Sequence, residues 1–128
     1  MELKNEKYLF EKYPTIFPKG RKVDKRESLM YYGFECKDGW KELIIDTCNK
    51  ILKTENGNKV WAVQIKEKFG RLRIYLEGRV TKKISNILFD AEKKSSKICE
   101  ICGKPGILKT HFMRYQTLCD SCYKIIIN

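Results

Sequence analysis

The stretch CEICGKPGILKTHFMRYQTLCDSC, residues 99–122, decides how the C-terminal part of the chain folds. Its four cysteines form two Cys-x-x-Cys pairs with sixteen residues between them: Cys99/Cys102 and Cys119/Cys122. This spacing is typical of tetrahedral metal sites, because a tight turn aims each pair of thiolates at one centre and the second pair completes the ligand set. Gly103 suits the positive φ that such a turn often needs. The stretch therefore predicts a zinc ribbon with one structural Zn²⁺ per chain.

Paired cysteines also occur in redox sites, disulfides and iron–sulfur clusters. A thioredoxin-like site has one Cys-x-x-Cys at the start of a helix, whereas this chain has two pairs and the first is followed by Gly-Lys-Pro-Gly. The opening MELKNEKYLFEKY lacks the apolar core of a signal peptide. We therefore expect a reducing, cytoplasmic location, which disfavours disulfides. An iron–sulfur cluster with four thiolate ligands stays open as the minor alternative.

The chain is strongly basic. Its 128 residues include 27 Lys and Arg against 16 Asp and Glu, a formal net charge of +11 at pH 7. Such a surface attracts polyanions, which favours nucleic acid, or a protein that normally handles nucleic acid, as the partner. The basic residues are spread along the chain, so the charge also fits a lysine-rich codon bias. No apolar run approaches the roughly eighteen residues of a membrane helix, and we expect no membrane partner.

Two helical patterns flank one alternating pattern, which predicts an α+β fold. The first helix is expected to begin near Trp40, with Asp38 as its N-cap, and to end near Asn56-Gly57. The second is expected from Val80 to Ser95. We expect both amphipathic helices to pack on a β-hairpin, a small antiparallel sheet.

The chain is expected to form one compact unit with two parts. Residues 1–97 are predicted to be the α+β core, and residues 98–128 the zinc-ribbon module. Within the module, Ile107–Lys109 and Tyr115–Leu118 are the expected short strands. The apolar tail at residues 125–127 is expected to be covered by the core or by a partner.

The hairpin is predicted from VWAVQIKEKFGRLRIYLEG, which alternates as two strands broken at Phe69-Gly70-Arg71. One face is expected to carry the apolar residues of both strands: Trp61, Val63, Ile65, Leu72, Ile74 and Leu76. The other face and the turn carry four cations and a tyrosine: Lys66, Lys68, Arg71, Arg73 and Tyr75. These five residues are the candidate contacts for a partner or for nucleic acid, and a solvated outer face explains them about equally well.

Aromatic residues are dense just before the first helix, at Tyr31, Tyr32, Phe34 and Trp40. They suit either base stacking or packing, and we favour packing because Trp40 begins the apolar stripe of the helix.

A catalytic set is missing from the sequence, so we expect no enzyme activity. His111 is the single histidine, whereas a metal-finger nuclease usually needs a histidine base and further metal ligands, among them a second histidine. An acidic series, Glu35, Asp38, Glu42 and Asp46, is a candidate magnesium site but more often forms a solvated helix face. The sequence does not decide the roles of Cys36 and Cys48.

Four motifs together resemble a family of small phage and prophage proteins. They are GFECKDGW (Gly33–Trp40), QIKEKFGRLRIY (Gln64–Tyr75), AEKKSSKICEICGKPG (Ala91–Gly106) and the closing TLCDSC. Some zinc-binding phage proteins of this size are anti-CRISPR inhibitors of an RNA-guided type II nuclease. The resemblance implies a non-enzymatic inhibitor that binds a bacterial CRISPR effector nuclease and blocks DNA loading or cleavage in the host cytoplasm. Inhibitors that mimic DNA are acidic, so this basic chain would dock on an acidic or mixed protein surface.

Overall fold

The computed structural model describes all 128 residues as four α-helices and two small sheets. The helices are α1 (Leu3–Lys12), α2 (Lys41–Leu52), α3 (Lys82–Ser95) and α4 (Asp120–Ile127). The strands are β1 (Phe34–Glu35), β2 (Val60–Lys68), β3 (Arg71–Gly78), β4 (Ile107–His111) and β5 (Arg114–Leu118). The predicted α+β fold class is confirmed. None of the four helices has the length and apolar content needed to cross a membrane.

The predicted hairpin is the centre of the larger sheet. Strands β2 and β3 pair antiparallel up to Lys68 and Arg71, which close a two-residue turn. Phe69 and Gly70 take φ values of 53° and 84° in that turn, as a tight hairpin requires. The short β1 adds to β2 in parallel, with Phe34 opposite Ile65. This third strand was not predicted, because two residues carry no alternation pattern.

The predicted inner face of β2 is wrong for its first half. Val60 and Ala62 are buried, whereas Trp61 is 40% exposed. A β-bulge between Ala62 and Gln64 shifts the alternation by one residue, so that Ile65 is buried again. In β3, by contrast, Leu72 faces the core as predicted.

Asp38 is not the N-cap of α2, which corrects the prediction. It lies in a 3₁₀ turn, Asp38–Trp40, and α2 begins at Lys41 without a side-chain cap. The Asp38 carboxylate instead accepts hydrogen bonds at 2.9 Å from the Glu2 backbone N–H and from the Asn5 side-chain amide. It therefore anchors the start of α1 to the segment before α2.

Eighteen buried apolar residues form one core cluster between α1, α2, α3 and the larger sheet. Trp40 and Ile44 of this cluster are fully buried, as the helical stripe of α2 predicts. Of the aromatics before α2, Phe34 is also buried, but Tyr31 and Tyr32 are 44% and 51% exposed. The expected packing role is thus wrong for these two tyrosines.

Helix α3 lies along the free edge of β3. Its Ser95 hydroxyl accepts a hydrogen bond from the Leu72 backbone N–H at 2.9 Å, which satisfies a donor on that edge. The helix begins after Thr81, whose hydroxyl accepts from the Ile84 N–H at 3.2 Å. Val80 precedes the helix and is 37% exposed, so it does not belong to the apolar stripe.

Candidate metal centre

The two Cys-x-x-Cys pairs meet at one point. The Sγ atoms of Cys99, Cys102, Cys119 and Cys122 all lie within 4.8 Å of one another. Cys102 Sγ and Cys119 Sγ are 3.6 Å apart and no cysteine forms a disulfide. Zinc–sulfur bonds of about 2.3 Å in a tetrahedron place sulfurs about 3.8 Å apart, so the four thiols fit a tetrahedral metal ion. No other group of three or more Cys, His, Asp or Glu in the chain converges in this way.

The first pair lies in a tight turn between α3 and β4. The Gly103 backbone N–H donates to the Cys99 carbonyl at 2.9 Å, and the Cys99 N–H donates to the Lys104 carbonyl at 2.7 Å. Gly103 has a φ of 81°, as predicted, which a side chain would make costly. These two hydrogen bonds close the turn that carries both thiols.

The second pair lies at the start of α4, which the sequence did not predict. Cys119 is the N-cap of this helix, and its Sγ accepts a hydrogen bond from the Cys122 backbone N–H at 3.4 Å. This donor lowers the pKa of the Cys119 thiol to about 7. The helix start therefore favours the thiolate of Cys119, which is the form that binds metal, whereas burial raises the pKa of the neighbouring Cys122 thiol to about 12.

Glu100 stands between the two ligands of the first pair and fixes that turn to the core. It is only 1% exposed. Its carboxylate accepts hydrogen bonds at 3.0 Å from the Lys37 backbone N–H and from the Gln116 side-chain amide. Burial raises the pKa of this carboxyl. Sequence reasoning missed Glu100, because an acidic residue between ligand cysteines looks solvent-exposed and Lys37 is distant in the chain.

The core meets the metal centre at Gly39 and Trp40. The Gly39 N–H donates to the Glu100 carbonyl at 2.7 Å, and the Trp40 indole N–H donates to the Ile98 carbonyl at 2.9 Å. A Cβ on Gly39 would lie 2.2 Å from the Cys99 carbonyl oxygen. Only glycine lets the two backbones approach this closely.

Neither His111 nor the acidic series joins the thiol cluster. His111 Nε2 lies 3.0 Å from Gln116 Oε1, on the β4–β5 hairpin. The Asp38 carboxylate accepts a hydrogen bond from the Glu2 backbone N–H at the start of α1, and Asp46 pairs with Lys50 at 3.0 Å. Cys36 and Cys48 are buried in the core, where burial raises both thiol pKa values to about 12.

The five predicted contact residues of the β2–β3 hairpin do come together on one face, which we call the basic hairpin face: Lys66, Lys68, Arg71, Arg73 and Tyr75. Lys66 lies directly opposite Arg73, and Lys68 directly opposite Arg71. One carboxylate, Glu92 of α3, pairs with Arg71 at 3.3 Å and with Arg73 at 2.9 Å. The two lysines make no ion pair within 4.0 Å.

The C-terminal module exposes much of its apolar surface. Phe112 and Met113, at the β4–β5 turn, are 78% and 103% exposed, and we call them the ribbon tip. Ile125 on α4 is 75% exposed. The core therefore does not cover the isoleucine tail, which corrects that half of the prediction.

Comparison of the chain with protein-family models, with curated proteins and with solved structures finds no match. The features that bear on function are the thiol cluster, the basic hairpin face and the ribbon tip.

Proposed function

We propose that this protein binds nucleic acid through the basic hairpin face and that a structural Zn²⁺ on the four cysteines stabilises the adjoining ribbon. The observation that carries the proposal is the pairing of four cations across two strands, Lys66 with Arg73 and Lys68 with Arg71. Like charges directly opposite one another destabilise a sheet. Glu92 pairs with the two arginines, while Glu35 of β1 lies beside Lys66 in the sheet without an ion pair within 4.0 Å, and no ion pair reaches Lys68. Backbone phosphates would offset the remaining repulsion.

Tyr75 adds an aromatic surface to the cations. Its side chain is 38% exposed, and the Lys66 ammonium lies 5.9 Å from its ring centroid. Exposed aromatics beside cations are the usual platform for stacking of bases in single strands. The face thus offers both phosphate contacts and a stacking surface.

In this proposal the metal ion has a structural role and takes no part in binding. Four thiolates fill a tetrahedral zinc ion and leave no open position for a substrate or water. The ion would hold the start of α4 against the turn after α3. The ribbon then contacts the hairpin turn, because the Thr117 hydroxyl donates to the Gly70 carbonyl at 2.7 Å.

Fluorescence anisotropy with labelled single-stranded and duplex oligonucleotides tests the proposal. We expect the logarithm of the affinity to fall linearly with the logarithm of the salt concentration. Lys66→Gln with Lys68→Gln should reduce that slope on duplex by about 0.9 for each phosphate that the protein no longer neutralises. The matched control is Lys4→Gln with Lys7→Gln, two exposed lysines of α1 whose removal changes the net charge equally. Equal effects of the two double variants, or no binding at all, would contradict the proposal.

A second candidate function is inhibition of a bacterial type II CRISPR effector nuclease. The motif resemblance supports it, and so does the ribbon tip, since an exposed Phe112 and Met113 on a metal-held hairpin suit a protein partner. Pull-down with the nuclease, with and without guide and target DNA, is the test. Phe112→Ser with Met113→Ser should abolish the complex. Undiminished cleavage and no complex at micromolar protein would eliminate this candidate.

A further inference from the structure

We infer that a groove at the end of α3 is a second phosphate-binding site, which continues the basic hairpin face and takes the backbone of a bound nucleic acid. This inference rests on the proposed nucleic-acid function. The groove has a volume of about 360 Å³. Its six lining residues are Arg71, Asp90, Lys93, Lys94, Ser96 and Lys97.

The six lining residues are all polar or charged, and most are cationic. Four of the six residues carry positive charge, one is a carboxylate, and none is apolar. A groove without apolar lining is a poor site for a drug-like ligand but suits a hydrated anion. Lys93 and Lys97 are exposed and make no ion pair within 4.0 Å. The Lys93 ammonium lies 4.8 Å from the centroid of the exposed Phe89 ring, a contact that a phosphate would have to replace or share.

A shortage of negative charge extends to the neighbouring helix. Lys50 of α2 and Lys94 of α3 both approach one oxygen of Asp46, at 3.0 Å and 4.0 Å. The two ammonium groups are therefore held close together, which is unfavourable for like charges unless negative charge lies nearby. A bound phosphate would add negative charge to that of Asp46 and of Asp90, which lies in the same cleft as the two lysines.

Arg71 connects the groove to the basic hairpin face, because it belongs to both. The carboxylates around this junction are Asp46, Asp90 and Glu92. Five cations surround them: Lys50, Arg71, Lys93, Lys94 and Lys97. Cations therefore outnumber carboxylates from β3 to the end of α3, which favours binding of a nucleic-acid backbone along this path.

The test compares two double variants, one at the start of α3 and one at and just beyond its end, by anisotropy across a salt series. Lys93→Gln with Lys97→Gln removes two groove cations, and Lys82→Gln with Lys83→Gln removes two exposed lysines from the other end of α3. We expect the groove variant to weaken binding several-fold and to reduce the duplex salt slope by about 0.9 for each phosphate left without its lysine. The control variant should change the affinity and the salt slope by less than half as much as the groove variant does. Melting temperatures are measured in parallel, because lysines in a last helical turn also stabilise the helix.

The outcomes separate the groove from the proposed function. If nucleic acid binds and the two variants weaken it equally, the groove is overturned while the proposed function stands. If the native protein binds no oligonucleotide, both fail. A polyglutamate competitor that displaces the oligonucleotide as effectively as unlabelled DNA would also overturn the inference, since the groove would then recognise acidic protein. Inorganic phosphate is the last competitor. If it displaces the oligonucleotide at the same total phosphate concentration as unlabelled DNA does, the groove binds free anions and is not a site for a nucleic-acid backbone.

Discussion

The core and the ribbon differ in how they are held together. Residues before 98 supply all eighteen members of the buried apolar cluster. The C-terminal module, residues 98–128, buries only two apolar residues, Cys99 and Leu118, and exposes Phe112 and Ile125. Hydrophobic burial can therefore stabilise the core, whereas the ribbon needs another source of free energy. The four converging thiols indicate that this source is a metal ion.

The contact between the core and the ribbon is mainly polar. It includes hydrogen bonds from Lys37, Gly39 and Trp40 to the backbone and carboxylate of the turn that carries Cys99. The Thr117–Gly70 hydrogen bond and an ion pair between Arg114 and Glu67 at 3.7 Å add to it. Hydrogen bonds have strict geometry, unlike apolar packing. The ribbon is thus positioned by the core but not stabilised by a shared apolar interior.

The largest effect should come from a ligand cysteine. Cys99→Ser removes one of four thiolates, and structural zinc sites in small fingers supply roughly 10 to 16 kcal/mol, so we expect loss of metal and unfolding of the ribbon. Elemental analysis and thermal melting measure both. Cys48→Ala is the matched control in the core and should keep its metal. Full metal content with unchanged melting in Cys99→Ser would contradict the assignment.

A smaller effect is expected where the two regions meet. Gly39→Ala would push its Cβ into the Cys99 and Glu100 carbonyl oxygens, 2.2 and 2.5 Å away. Overpacking of this kind costs about 1–3 kcal/mol. We expect a lower melting temperature with metal retained, because the ligands are untouched. A protein as stable as the native one would show that this contact is not as close as described.

Loss of Glu100 should weaken the same contact through polar groups. In Glu100→Ala the Lys37 N–H and the Gln116 amide lose their acceptor, and a buried unsatisfied donor costs about 1–3 kcal/mol. Denaturant unfolding followed by tryptophan fluorescence reports the change, since Trp40 packs at this contact. Stability within about 0.5 kcal/mol of native, the usual limit for surface changes, would mean that the carboxylate is solvated.

Thiol reactivity should separate the two regions without a mutation. With metal bound, we expect no fast-reacting thiol. After chelation the four ribbon cysteines should react quickly, while Cys36 and Cys48 stay protected until the core unfolds. Burial raises the pKa values of Cys36 and Cys48 from 9.0 to about 12. Above about pH 9 the two thiols therefore ionise in the unfolded chain but stay protonated in the folded core. This difference favours the unfolded chain, so the core should lose stability as the pH rises above about 9. Six fast thiols after chelation would contradict this account.

The smallest effect is expected at the ribbon tip. Phe112→Ser with Met113→Ser removes side chains that are 78% and 103% exposed, so melting should barely change. A clear loss of stability would show that these residues pack within the protein and would weaken their assignment to a partner surface.

Sequence patterns predicted the parts of the molecule that depend on local periodicity or ligand spacing. The four cysteines, the break at Phe69-Gly70 and the inward face of β3 follow directly from such patterns. The bulge after Ala62 could not be predicted, because Trp61 and Val63 are as apolar as the residues that are buried instead. Helix α4 looked like an apolar tail, since its start depends on Cys119 as the N-cap.

Long-range polar contacts and surface clusters also could not be predicted from the sequence, because they depend on the tertiary fold. The bond between Lys37 and Glu100 spans 63 residues. In the sequence the lysines near the end of α3 only lie outside its apolar stripe, and the tertiary position of Arg71 is what places them in a groove.

Hydrogen exchange followed by mass spectrometry, before and after zinc chelation, tests most directly whether the ribbon depends on metal and the core does not. We expect amides in residues 98–128 to lose protection when the metal is removed, while β2, β3 and α2 keep theirs. Unchanged protection of the ribbon, or equal loss of protection in both regions, would contradict the account.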